Sequence, residues 1–320
     1  MMKTATAVLR AFLAGVAALA FFVSSQPSPA AAQTIAPFDL RDHPIYLIAS
    51  YYNAIALQDY ARAYSYWKGH APGGATYQQF AQGFADVQTV RALARLPVAG
   101  GVAAGTAHAE VPVVVLTTLK SGGSQIFAGC FHAVQHNVPV GDPPVIDLNW
   151  YLDSAVLQPA ASVDFVQATN ACSLAESFPT PARIDNRLSP PDLISSYYDA
   201  IAARDYVRAY QYWQGGAPGQ TLAQFAQGFA GTANIGVVVA LSFTVGAAAG
   251  SVYADLPLLI TATDWGAPQL FVGCLIARKS NVPVGDSPVP DPNWYLYSAA
   301  IHPVNTLEAG VQQVWAACSG

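Results

Sequence analysis

Apolar and aromatic residues recur at helical spacing twice in this chain, with alanine and polar residues between them. Ile48, Tyr51, Tyr52 and Ile55 make the first stripe; Ile194, Tyr197, Tyr198 and Ile201 make the second. A short helix follows each stripe, with Asp59 and Asp205 as N-caps ahead of Tyr60, Ala63, Tyr64, Trp67 and of Tyr206, Ala209, Tyr210, Trp213. Gly-Pro turns then lead to Thr76-x-x-Gln79 and Thr221-x-x-Gln224. These are capping boxes opening a third helix, with Phe80, Phe84 and Phe225, Phe229 on its buried face. Beyond that helix the period changes to that of strands. Val87–Leu96, Val102–Leu119, Gln125–Val134 and Trp150–Leu157 are rich in valine, alanine, threonine and aromatics. Pro112 and Pro257 fall inside the long second strand, which predicts a bulge, bend or edge there.

The doubling is literal. YYNAIALQDYARAYSYW (51–67) returns as YYDAIAARDYVRAYQYW (197–213). The chain divides into one copy over 43–173 and another over 190–320, with linkers at 33–42 and 174–189. At 320 residues, each copy is long enough to bury a core of its own.

Composition narrows the setting. Only 10% of residues are charged, the net charge is −5, and no basic block occurs, so nucleic acid has no electrostatic footprint here. At the N-terminus, Lys3 and Arg10 precede an apolar run from Ala11 to Val23, and Ala30-Ala31-Ala32 suits a cleavage site. A signal peptide over 1–32, cleaved after Ala32, and an extracytoplasmic location without a membrane span are therefore expected. The four cysteines also repeat, Cys130 with Cys274 and Cys172 with Cys318. A duplicated unit most simply repeats its own bridge, which predicts Cys130–Cys172 and Cys274–Cys318. Each bridge closes a loop of about 40 residues and contributes roughly 3–5 kcal/mol. Zinc is the rival use of these thiols, but no C-x-x-C or paired histidine spacing supports it.

Three helices followed by four strands, with YY-x-A-I-x-x-x-D-Y at Tyr51–Tyr60 and Tyr197–Tyr206 and F-A-Q-G-F-A at Phe80–Ala85 and Phe225–Ala230, resemble the nuclear-transport-factor-2-like superfamily. The resemblance implies an α+β fold of two tandem cone-shaped domains. In each, three N-terminal helices would pack on a curved, mainly antiparallel four-stranded sheet, leaving a pocket at the wide end. Members often pair sheet to sheet, so an intramolecular pseudo-dimer of the two repeats is implied as well. The superfamily includes cyclases, an isomerase and many non-catalytic binding domains, so fold alone selects no reaction.

Two copies allow a further test: which titratable groups do both keep? No histidine does, since His70, His108, His132 and His136 face Gly216, Tyr253, Ile276 and Ser280. The paired acids are Asp59/Asp205, read as caps; Asp142/Asp286, read as turn residues; and Glu110/Asp255. The last pair sits mid-strand in an apolar run, where a pocket-facing carboxylate would have a raised pKa and an edge residue would simply discourage pairing. His108, His132 and Asp153 are polar strand positions found in copy one alone and are candidates to line a pocket. Convergence of His108, Glu110 and His132 would make a metal site, but the spacing does not require it, and no metal or cofactor is expected. The reading is an exported non-catalytic binding or interaction module of unknown partner. Its alternatives are an isomerase or cyclase using Glu110 or Asp255 as base beside Tyr253, and a carrier of a small apolar or aromatic ligand.

Overall fold

A computed structural model describes residues 36–69, 72–137, 147–173, 183–283 and 289–319. The 1–32 segment and the Asp142/Asp286 turns lie outside the described residues. Each half runs through the same elements. The first has α1 (Pro44–Ala56), α2 (Tyr60–Ser65), α3 (Tyr77–Gly83), β1 (Val87–Leu96), β2 (Ala99–Ala103), β3 (Thr106–Leu119), β4 (Ser124–His136), β5 (Tyr151–Ala160) and α4 (Phe165–Asn170). The second has α5 (Pro190–Ala202), α6 (Tyr206–Gln211), α7 (Leu222–Gly228), β6 (Thr232–Ala240), β7 (Thr244–Ala248), β8 (Ser251–Asp264), β9 (Ala267–Ser280), β10 (Tyr295–Pro303) and α8 (Leu307–Val314). Among the described residues, no helix is long and apolar enough to cross a membrane.

The helix starts follow the expected chemistry. Asp59 and Asp205 accept from the backbone N–H of Arg62 and Arg208. Thr76 and Thr221 complete capping boxes with Gln79 and Gln224. The strands differ from expectation in number. The stretch from Val102 onward is no single strand, because Ala104 and Gly105 both adopt positive φ (48° and 77°) and fold β2 back on β3. Ala249 and Gly250 repeat this turn (48° and 75°) in the second half. Two consecutive left-handed residues match a two-residue hairpin turn, and alanine at the first of them hides its signal.

Pro112 and Pro257 introduce no bulge. Their ladders to Cys130 and Cys274 run in unbroken register. On the other side of β3, however, β1 pairing ends at Val113 and β2 pairing begins at Glu110. Pro112 falls in that gap, so its missing N–H deletes no ladder bond there, and Pro257 sits likewise between Leu258 and Asp255. The edge is local, created by the hand-over from one neighbour to the next.

The largest departure concerns the sheet. The resemblance implies separate four-stranded sheets, one per copy. Instead one ten-stranded antiparallel sheet runs β10-β9-β8-β6-β1-β3-β4-β5, with β2 on β3 and β7 on β8. The halves join through β1 and β6, in the register Leu93↔Ala240, Ala94↔Val239, Arg95↔Val238 and Leu96↔Val237. Ala94 and Val239 are equivalent positions when Phe80 is aligned with Phe225, so the ladder is symmetric about that pair. Side chains alternate across the sheet. Val111, Val113 and Val115 meet α1 in a core that also holds Leu193, Ile194, Leu256 and Leu258 of the second half. On the opposite face Leu93 shares a cluster with Val238, Ala240, Leu259, Val311 and Val314. Both cores therefore cross the junction.

Further contacts tie the halves together. His43 caps α1 by accepting from the Ile45 N–H at Nδ1, and its Nε2 faces Asp192 of α5 at 3.4 Å. Phe243 packs edge-on against Phe38 (5.4 Å) and tilted against Tyr46 (5.2 Å). The Arg91 guanidinium lies 5.3 Å over the Trp315 ring. The short helices α4 and α8, which the sequence reading did not include, lead into the disulfides Cys130–Cys172 and Cys274–Cys318, paired as the repeat predicts.

Shared cores make the halves one cooperative unit. Chemical denaturation followed by tryptophan fluorescence and by far-UV circular dichroism is expected to give coincident single transitions. Leu93→Ala, at the junction, should lower stability by about 3 kcal/mol while leaving a single transition. Two resolved transitions in the parent protein would contradict the shared core.

Candidate functional site

The helical face of the sheet is filled with rings. Tyr51 contacts Tyr52, Trp67, Phe80 and Phe131 at centroid distances of 5.1, 5.8, 6.4 and 5.9 Å. Tyr197 repeats this with Tyr198, Trp213 and Phe225 at 4.9, 6.1 and 6.4 Å. Burial pushes the hydroxyls of Tyr51 and Tyr197 well above the ordinary tyrosine range, with Trp67 and Trp213 opposing that shift. The aromatic stripe is core. Surface depressions lie on α3, at Gln78, Gln79, Gln82 and Gly83, and between α6 and α7, around Tyr206 and Leu222; both are open to solvent.

Around this core runs a polar network present in both halves, which sequence reading missed. The Tyr66 hydroxyl donates to Asp39 Oδ1 (2.9 Å) and Tyr212 donates to Asp185 (2.8 Å). Arg62 spans Asp59, Asn53 and the Phe38 carbonyl, and Arg208 spans Asp205, Asp199 and the Ile184 carbonyl. Arg41 lies 5.5 Å from both the Tyr66 and Tyr151 rings; Arg187 lies 5.8 Å from Tyr212 and 5.1 Å from Tyr295. Tyr151 and Tyr295 donate to Asp147 (2.6 Å) and Asp291 (2.8 Å). The signal was available as D-x-R at Asp39 and Asp185 and as D-x-N-W-Y at Asp147 and Asp291. The first pair falls within 33–42 and 174–189, which read as linkers in the sequence. Residues 38–41 are in fact bound to α1, with the Phe38 and Leu40 N–H groups donating to Asn53 and Ser50.

The sequence-derived candidates sit on the other face of the sheet, as their alternation with Val111 and Leu256 requires. Glu110 is buried, at 6% exposure, and accepts from Ser173 Oγ (3.1 Å), so it is no solvated edge residue. Its carboxylate lies close to the sulfurs of Cys130 and Cys172, which are committed to their disulfide and unable to act as thiolate ligands. Asp255 accepts from Thr244 Oγ1 (3.0 Å). Tyr253 packs edge-on against Tyr297 (5.6 Å), with the Arg278 guanidinium 5.7 Å from the first ring and 5.6 Å from the second.

His108, His132 and Asp153 do come together. His132 Nδ1 lies 3.3 Å from Asp153 Oδ2, and His132 Nε2 lies 3.2 Å from His108 Nδ1. With the carboxylate accepting from His132 Nδ1–H, Nε2 of that ring is left to accept from His108 Nδ1–H. Burial, His132 and Lys68 hold His108 below the ordinary histidine range, with Asp153 opposing them. Glu110 stands directly opposite His132 in register. The Ser-Gly-Gly turn at 121–123 sets that register, and counting outward from it is the sequence signal that places these residues side by side.

The tyrosine–carboxylate bonds carry a pH dependence. The Tyr151 bond, followed by Asn149, holds Asp147 below the usual carboxylate range; at Asp291, burial is outweighed by Asn293 and Tyr295. A lowered folded pKa gives stability that is present above the unfolded value of about 3.9 and lost as pH falls through the folded one. Tyr151→Phe with Tyr295→Phe is expected to cost about 1–2 kcal/mol per site at pH 7. In denaturant titrations the gap to the parent protein should close as pH drops from about 4 towards 2.

No protein-family model matches the chain, and no curated protein matches it. Among solved structures it is similar to a cystatin-like protein from Ruminococcus gnavus, at 9% identity and a TM-score of 0.22, over 85% of this chain and 80% of that one. Both values are too low to carry an argument, so the α+β architecture rests on the strand order and packing above.

Proposed function

We propose that the protein is an exported, non-catalytic module of two nuclear-transport-factor-2-like repeats, cone-shaped and joined edge to edge as an internal pseudo-dimer, which acts through its surface. The filled interior carries this reading. Tyr51, Tyr52, Trp67, Phe80 and Phe131, with Tyr197, Tyr198, Trp213, Phe225 and Leu275, are all buried where the resemblance implies a pocket. A carrier needs that space empty. An isomerase or cyclase needs Glu110 or Asp255 inside it beside a tyrosine, whereas Glu110 is tied to Ser173 and Asp255 to Thr244 on the opposite face. The symmetric β1–β6 register supports the pseudo-dimer, since equivalent edges meet as in a twofold interface. Two disulfides are consistent with an extracellular location, and the N-terminal apolar segment supplies the route there.

Native mass spectrometry of protein from its own source tests the reading. The expected mass is that of a single chain beginning at Gln33, with both disulfides closed and no bound organic molecule. A co-purified apolar compound would instead favour the carrier.

A further inference from the structure

Copy one carries a histidine pair that the fold itself does not require, since the second copy builds the same place from Tyr253, Ile276 and Tyr297. The pair stands on β3 and β4, adjacent strands in continuous register from Thr106↔His136 to Thr118↔Ser124, so its spacing is fixed by the sheet. We propose that His108 Nδ1 and His132 Nε2 are ligands of a divalent first-row transition-metal ion, Zn2+ or Cu2+, with Asp153 as the carboxylate that orients His132 from behind.

The distances carry the argument. Two imidazole nitrogens bound at about 2.0–2.1 Å to one tetrahedral ion stand about 3.4 Å apart. The observed separation is 3.2 Å. The rings are nearly parallel, 12° apart with centroids 5.4 Å from each other, and their facing nitrogens meet across one gap. Without the ion, His108 Nδ1–H bridges the gap to His132 Nε2; on binding, that proton moves to His108 Nε2, and each ring turns by about 35° so that both lone pairs meet an ion beside the N–N line. Behind His132, Asp153 accepts from the nitrogen that faces away from the ion, at 3.3 Å. That is the carboxylate–histidine arrangement that fixes tautomer and raises ligand basicity at metal sites. Solvent completes the coordination, because the Glu110 carboxylate opposite His132 is turned to Ser173 and the Cys130–Cys172 sulfurs. Imidazole with oxygen donors selects copper, nickel or zinc over magnesium or calcium.

Titration calorimetry of the oxidised, processed chain with Zn2+ alone at pH 7.5, repeated with Cu2+, tests the site. One ion per chain is expected, with affinity falling as the pH drops through the histidine range and the imidazoles protonate. His108→Tyr and His132→Ile introduce residues that the second copy already holds at these positions, and circular dichroism checks that each variant is folded. Either one should abolish the one-to-one binding, and Asp153→Asn should weaken it about tenfold or more. The Cu2+ form should show coupling to two imidazole nitrogens in electron paramagnetic resonance. Absence of binding, or binding of equal strength in folded His108→Tyr and His132→Ile variants, would overturn the assignment.

Discussion

The antiparallel ladder between β1 and β6 is the constraint on which the rest of the structure depends. Taken alone, each half would end on an exposed strand, a template for unwanted pairing. Joining these two strands removes both exposed edges at once and leaves β5 and β10 as the ends of the sheet. The ladder is short, from Leu93 to Leu96 on one side, so its hydrogen bonds do not hold the halves together unaided. Apolar clusters on both faces do that. Leu93 and Val238 lie beneath α8 on one face, while Phe38, Tyr46 and Phe243 meet on the other. Burial on both sides of a four-pair ladder converts a weak edge contact into part of a core.

The two faces of the sheet differ in how far the repeats agree. On the helical face nearly every contact recurs, down to Tyr51 with Trp67 and Tyr197 with Trp213. The Arg62 and Arg208 networks match almost atom for atom, apart from aspartate at 199 in place of Asn53, which adds a second carboxylate to a buried guanidinium. On the opposite face the copies diverge, with a histidine pair in one and tyrosines around Arg278 in the other. Conformity is found where packing is dense, and divergence where side chains face away from the common core.

Much of this was legible in the chain, and the reason is locality. Asp59, Thr76 and their twins act on backbone groups within three residues, so their motifs transfer directly into structure. The disulfides were legible because repetition itself selects one pairing among three. What escaped depended on distant partners. Nothing near Arg41 announces that Tyr66 and Tyr151 will enclose it, and nothing near Leu93 announces Ala240. Ala104 escaped for a different reason: an alanine in the left-handed region breaks the usual glycine or asparagine rule for turns. The meeting of His108 with His132 fell between these cases, non-local in sequence yet calculable from one hairpin turn.

The covalent link between the repeats bears on how such a protein changes over time. In an assembly of two identical chains, any altered residue appears on both subunits, and a bulky newcomer near the axis collides with its own duplicate. Here Phe243 occupies a position where the first copy has Val98, and it packs against both Phe38 and Tyr46 without a second phenylalanine to oppose it. Within one chain a residue near the junction need not fit its own duplicate, so one half can supply the knob and the other the hole.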